Sequence, residues 1–335
     1  MPRKTTAPRK AAPNPLAPLE PLLRDPEVLE IMVDRPDRVL VERDSRLEVT
    51  SVKFGSEKAL RAAIDLALKL GGVKFEPGQT IAYARLPDDS RVMGVLPPTA
   101  VDGPYLVLRK IMRSPMTWER LFKYNAASPA VYDLLHGAVL RRQNIAVAGG
   151  PGSGKTTVLN MLADDIPAEE RVIVVEQAVE LQVRHPRTIR LAAENMPGLT
   201  YEDVIIAAAR MRPDRLVFGE LRGGEVMHIL ELLRTGHDGS MASIHASNAE
   251  DALMRMEGMY LMSNLGLGLS EIRYRIASAF NLISMQRRLA DGKRRITEIV
   301  EVRGIENDRY VLQPLMRYNP ETDQFEMTGA KPGWL

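Results

Sequence analysis

Residues 145–160, "IAVAGGPGSGKTTVLN", restrict the fold more than any other stretch of the chain. An apolar run meets Gly149, Gly150, Gly152 and Gly154, then Lys155, Thr156 and Thr157, then a second apolar run. Residues Gly149 to Thr156 fit G-x-x-x-x-G-K-[ST] at every fixed position. Glycines let backbone N–H groups converge on an anion without a Cβ in the way. A helix beginning at the lysine adds unpaired N–H groups and a positive dipole end. Gly150, Pro151, Gly152, Ser153, Gly154, Lys155, Thr156 and Thr157 are therefore the candidate contacts for a nucleoside triphosphate. Lys155 suits the β- and γ-phosphates and Thr156 a Mg²⁺ ion. A strand entering such a loop and a helix leaving it also predict a parallel sheet with helical crossovers.

Around this core the chain alternates short apolar runs with helical patterns. "SPAVYDLLHGAVLRRQ" predicts a helix, "NIAVAG" a strand and "GKTTVLNMLADDI" a helix, while "RVIVVE" and "RLVFGE" predict buried strands. This second domain is expected over 128–335, after a linker at 113–127 that carries a short helix. Residues 19–112 predict a first α+β domain. In it, "PEVLEIMV" reads as an amphipathic helix leading into strands, and "SEKALRAAIDLALKLGG" as a helix with a Ser cap and a Gly-Gly stop. Residues 1–18, rich in Pro, Ala, Lys and Arg, predict a disordered tail. A length of 335 residues agrees with two domains.

The formal net charge of +2 gives no electrostatic reason to expect nucleic acid as a partner. The absence of cysteine excludes disulfides and thiolate metal sites and fits a cytoplasmic location. No apolar segment follows the basic N-terminus as a signal peptide would require, and no apolar run approaches the roughly 20 residues of a membrane helix.

A phosphate loop needs a nearby carboxylate to hold the magnesium shell or to orient the attacking water. "RVIVVEQAVELQV" offers Glu176 and Glu180, and "RPDRLVFGELRGGE" offers Glu220 at a strand end, where open α/β sheets bind ligands. "TGHDGSMASIHASN" contributes His237 and His245, a spacing poor for a metal but compatible with a role at the same crevice.

The phosphate loop, "VEQAVEL", "RMRPDRLVFGELRGGE" and "TGHDGSMASIHASN" occur in an order that resembles the secretion-ATPase superfamily of type II and type IV systems. They correspond there to Walker A, the Asp box, Walker B and the His box. Among its branches the chain is most similar to the CpaF/TadA group of Tad pilus assembly. The resemblance implies an N-terminal α+β domain linked to a RecA-like ATPase domain. It further implies a cytoplasmic homo-hexamer, docked peripherally on the membrane, that drives an integral-membrane platform protein with ATP and Mg²⁺. Within it, Glu220 matches the Walker B acid, Glu180 the water-polarising Asp-box residue, and His237 and His245 the γ-phosphate sensors. Arg91 and Arg109 match N-terminal arginines that close on the phosphates. Glu180 and Glu220 both remain open as the residue that positions water. Two departures stand out. Gln177 replaces an acidic residue in the Asp box, and the four-cysteine zinc insert of many type II enzymes is missing, which favours the pilus and conjugation branches. Conjugative type IV secretion and a nucleic-acid motor of the same ring class are the alternatives.

Overall fold

In the computed structural model, which describes residues 14–43, 46–110, 116–193 and 198–334, the chain divides into two units, Met1–Pro115 and Met116–Leu335. The first begins with helix α1 (Glu20–Arg24) and strands β1 (Val28–Arg35), β2 (Arg38–Arg43) and β3 (Arg46–Val49). Helix α2 (Glu57–Leu70) follows, then β4 (Ile81–Arg85), β5 (Arg91–Val95) and β6 (Tyr105–Arg109). The strands form one antiparallel sheet in the order β3-β2-β1-β6-β5-β4. Ser56 caps α2 by accepting a hydrogen bond from the Ala59 N–H, and Gly71 ends it. The helix packs on β4 and β5 and buries Leu60, Ile64 and Leu68, each contributing ~1.5–3 kcal/mol. A charge at Ile64 would break this contact.

Three expectations are corrected here. The run "PEVLEIMV" leads into and forms most of strand β1, not a helix. Pairing with β2 slips between Val28 and Glu30, so Val28 and Ile31 are both buried three residues apart and imitate a helical spacing. Within the expected tail, residues 1–13 lie outside the described residues, but Leu16 is buried with Leu19 and Leu22 in the first core. Within the expected linker, residues 111–115 lie outside the described residues and Met116 onward belongs to the second unit. There Trp118, Leu121, Ala126 and Ala127 are buried against its core, because an apolar short helix gains more by packing than by spanning solvent.

The second unit begins with α3 (Trp118–Lys123), α4 (Pro129–Leu140), β7 (Ile145–Gly149), α5 (Lys155–Asp164), β8 (Val172–Glu176) and β9 (Thr188–Ala192). It continues through α6 (Tyr201–Ala209), β10 (Arg215–Leu221), α7 (Val226–Arg234), β11 (Met241–His245), α8 (Ala249–Leu261) and α9 (Leu269–Ala279). It ends with β12 (Leu282–Arg288), β13 (Arg294–Glu306), β14 (Arg309–Asn319) and β15 (Gln324–Met327). The sheet order is β15-β14-β13-β12-β7-β11-β10-β8-β9. From β12 to β9 every pairing is parallel, and β13 to β15 add an antiparallel meander.

Both faces of the parallel part are covered, as its continuous apolar strands require. Ile145 and Val147 of β7 pack with residues of α3, α4 and α5, while Ala146 and Ala148 pack with residues of α6, α7, α8 and α9. The fold is the α/β arrangement expected of a phosphate-loop domain. β7 sits between β11 and β12, so the loop that leaves it opens where the sheet order reverses, the usual ligand crevice.

Candidate nucleotide site

The site is assembled at the carboxyl end of β7. A Cβ on Gly149 would lie 2.3 Å from the Gln286 carbonyl oxygen and 2.6 Å from Ser153 Oγ, so only glycine lets β12 and the loop approach this closely. Gly154, at φ +98°, turns the chain into α5, whose first residue is Lys155. Within the loop, the Ser153 N–H donates to the Gly150 carbonyl at 3.3 Å, and Lys155 Nζ donates to the same oxygen at 3.1 Å. Ser153 Oγ is buried without a hydrogen-bond partner in the structure. A cradle lined by N–H donors, a buried ammonium and a spare hydroxyl fits polyphosphate. Thr156 on α5 supplies a hydroxyl and Glu220 a carboxylate, an all-oxygen pair of the kind Mg²⁺ takes beside substrate phosphates.

Lys155 is buried, and desolvation pushes its pKa down, opposed by the nearby Glu220 and Glu180 carboxylates. Its Nζ lies 3.2 Å from His245 Nδ1, and His245 Nε2 lies 2.6 Å from Glu220 Oε1. Burial first, and the Lys155 charge second, hold the His245 pKa below its ordinary value. A neutral imidazole suits this place: Nδ1 accepts from the ammonium, a tautomer assigned from that contact, while Nε2 lies within ion-pair distance of Glu220 Oε1, a buried oxygen that has no hydrogen-bond partner in the structure. Lys155, His245 and Glu220 thus form one chain.

Glu220 reaches this position through a bulge. β10 pairs with β11 as Phe218↔Ala242 and then Leu221↔Ile244, so β10 carries one extra residue at Gly219–Glu220. Arg222 pairs with the other Glu220 oxygen, Oε2. Glu180 is exposed on the loop after β8. That loop is held by Glu176, whose buried Oε1 accepts from the backbone N–H of both Glu180 and Leu181 at 2.7 Å.

Not every candidate meets the loop. His237 lies at the other end of the sheet, where its Nδ1 is 3.1 Å from the Leu232 carbonyl and its own carbonyl accepts from Ser240 Oγ. Ser240 in turn accepts from the Ile145 N–H, at the start of β7, whereas the loop leaves the end of that strand. A β-strand sends residues at its two ends to opposite edges of the sheet, so the two histidines separate. Arg91 and Arg109 lie directly opposite each other on β5 and β6 of the first unit.

The sequence reading missed Arg294, whose Nε donates to the Gly152 carbonyl at 2.8 Å from 142 residues away. Only the pairing of β12 with β7, Gln286↔Gly149, brings that hairpin to the loop, and no local motif signals it.

Comparison with known proteins agrees with this geometry. The family described as "Type II/IV secretion system protein" matches residues 13–312. The chain belongs to this family. With the phosphate loop described above, it is a P-loop ATPase of the type II/IV secretion class. A putative conjugal transfer protein of Mycobacterium tuberculosis is 32% identical over 299 residues, covering 86% of this chain and 84% of the relative. The type IV secretion system protein VirB11 of Brucella suis is 30% identical over 282 residues, covering 75% and 78%. The ATPase DotB of Yersinia pseudotuberculosis shares the fold, with a TM-score of 0.64 at 18% identity over 86% of this chain and 78% of that one. Among the described residues, no helix is long and apolar enough to cross a membrane.

Proposed function

We propose that this family member is a ring-forming motor that hydrolyses ATP to drive Tad-type pilus assembly through an integral-membrane platform protein. The observation that carries the chemical part is the Lys155–His245–Glu220 chain at the mouth of a polyphosphate cradle. In the structure Lys155 Nζ and the Ser153 N–H both rest on the Gly150 carbonyl, and both would turn to phosphate oxygens when ATP enters. As Lys155 leaves, His245 is freed to report the occupied γ-position to Glu220. Glu180 or Glu220 would orient the attacking water, and Lys155 would stabilise charge developing on the transferred group. Thr156 and Glu220 would hold Mg²⁺, which neutralises the β- and γ-oxygens when bound. Six copies would form the ring at the cytoplasmic face of the membrane. Arg91 and Arg109 would reach the γ-phosphate, where paired guanidinium groups suit a dianionic target.

A second reading, secretion or conjugal transfer by a type IV system, is favoured by the relatives described as conjugal transfer and type IV secretion proteins. Loss of the gene distinguishes the two: missing pili with normal transfer supports the first, and the converse the second. The chemical proposal is tested by phosphate release across a range of protein concentrations, with native mass read on each sample. Activity should rise as a six-subunit species forms, vanish in Lys155→Ala, and vanish in Glu220→Gln while ATP binding persists. Full turnover in Glu220→Gln would remove that carboxylate from its assigned role.

A further inference from the structure

The β12–β13 hairpin touches the phosphate loop at both of its limbs. On one side the Gln286 carbonyl closes on Gly149, and on the other Arg294 Nε donates to the Gly152 carbonyl. The Arg294 Cδ would also meet a Cβ on Gly154 at 3.4 Å, so the guanidinium stem lies along the outer surface of the cradle. The hairpin itself is pinned, with the Leu289 N–H on the Lys293 carbonyl and Arg288 opposite Arg294.

The Gly152 carbonyl and the Ser153 N–H belong to one planar, trans peptide, so they point in opposite directions. The N–H is aimed into the loop, toward the Gly150 carbonyl on which Lys155 Nζ also rests. The oxygen is therefore turned outward, onto Arg294. Gly152 has φ +66° and no side chain to resist rotation of this peptide. Were the peptide to flip, an acceptor dipole would replace a donor at the surface that faces phosphate, and the site would lose a hydrogen bond while gaining a repulsion.

We infer that Arg294 is a positioning residue of the nucleotide site, holding the Gly152 carbonyl outward so that the Ser153 N–H stays turned into the loop, where it can exchange the Gly150 carbonyl for a phosphate oxygen. The role rests on the ATPase reading above and deepens it. The residue acts through the loop and not on the transferred group, so its removal should weaken binding more than turnover.

The test uses the full-length protein. Steady-state phosphate release and calorimetric ATP binding are compared for wild type, Arg294→Ala, Arg294→Lys and Arg294→Gln, with the melting temperature of each nucleotide-free protein as a control. Arg294→Ala should raise KM and Kd for ATP by about tenfold, equivalent to ~1.4 kcal/mol, with kcat within about twofold of wild type. Lysine keeps a charged donor and should recover most of the affinity. Glutamine keeps a neutral donor and should fall between. A purely structural role would instead lower the melting temperature and kcat together, and that outcome overturns the inference. So does wild-type affinity in Arg294→Ala. If Arg294→Ala does not fold, the ordering of the lysine and glutamine variants decides, and equal affinities for both at the wild-type level overturn the proposal. Failure of wild type itself to bind ATP overturns the ATPase reading and this inference together.

Discussion

Replacing Glu170 with glutamine should destabilise the second unit although the residue lies far from the phosphate loop. Arg215, the first residue of β10, is fully buried. Its Nε donates to Glu170 Oε2 at 2.6 Å and its Nη2 to Glu170 Oε1 at 3.0 Å, a bidentate pair. Its Nη1 donates to the carbonyls of Val139 and Gly239 at 3.1 Å, so one guanidinium ties α4, β10 and the approach to β11 to the segment before β8. Removing one partner of a buried ion pair costs ~3–5 kcal/mol. The lower end applies because the Glu170 side chain is 16% exposed and glutamine can still accept one bond. At ~2–4 °C per kcal/mol for a domain of this size, about 3 kcal/mol lowers the melting temperature by about 6–12 °C. Circular dichroism melts at neutral pH would read this. The Arg215 hydrogen bond holds the Glu170 carboxyl below its ordinary pKa. A depressed carboxylate contributes stability above its unfolded value of about 4.3 and loses it as pH falls through the folded one. Variant and wild type should therefore converge as the pH drops below about 4. Combining Arg215→Met with Glu170→Leu should recover much of the loss, because an apolar pair leaves no charge buried alone. A Glu170→Gln melting temperature within about 2 °C of wild type would refute the reasoning.

Substitutions at two further residues probe the site. Glu176→Ala leaves the Glu180 and Leu181 N–H groups without their acceptor, so kcat should fall at least about tenfold while KM for ATP holds; Glu176→Gln, which keeps Oε1, should lose less. A matching loss in both kcat and ATP affinity would argue against a role confined to the Glu180 loop. The lowered His245 pKa predicts that activity and stability decline together as pH falls below the ordinary histidine range of about 6.5, since an imidazolium cannot accept from Lys155. His245→Gln, whose amide can accept and donate at once, should flatten that acid limb in a pH–rate profile, and an unchanged limb would exclude His245 as its source.

What was legible in the sequence was what the chain encodes locally. The phosphate loop, the Ser56 cap and the apolar runs of β7, β8 and β10 are each written within a dozen residues, so their elements follow from spacing alone. The errors arose where a local pattern has two physical solutions. A bulge gave β1 a helical spacing, and apolar residues in a connector joined a core instead of bridging solvent. The histidine pair fails for a different reason. "TGHDGSMASIH" reads as one motif, yet β11 occupies its second half, and its five residues span roughly 13 Å. One end of that strand delivers His245 to Lys155, and the same geometry carries His237 away.

The site is therefore a property of strand order more than of motif order. β7 alone carries the loop, but its neighbours decide what reaches it. β11 brings His245 to Lys155 on one side, and the bulge in β10 delivers Glu220 to that histidine. On the other side β12 brings Gln286 and the hairpin that carries Arg294. A phosphate loop binds anions wherever a strand and a helix flank it. What distinguishes this one is that its lysine is hydrogen-bonded to a histidine whose other ring nitrogen lies 2.6 Å from a buried carboxylate oxygen, so a phosphate that draws Lys155 away from His245 changes the charge beside the imidazole that Glu220 faces.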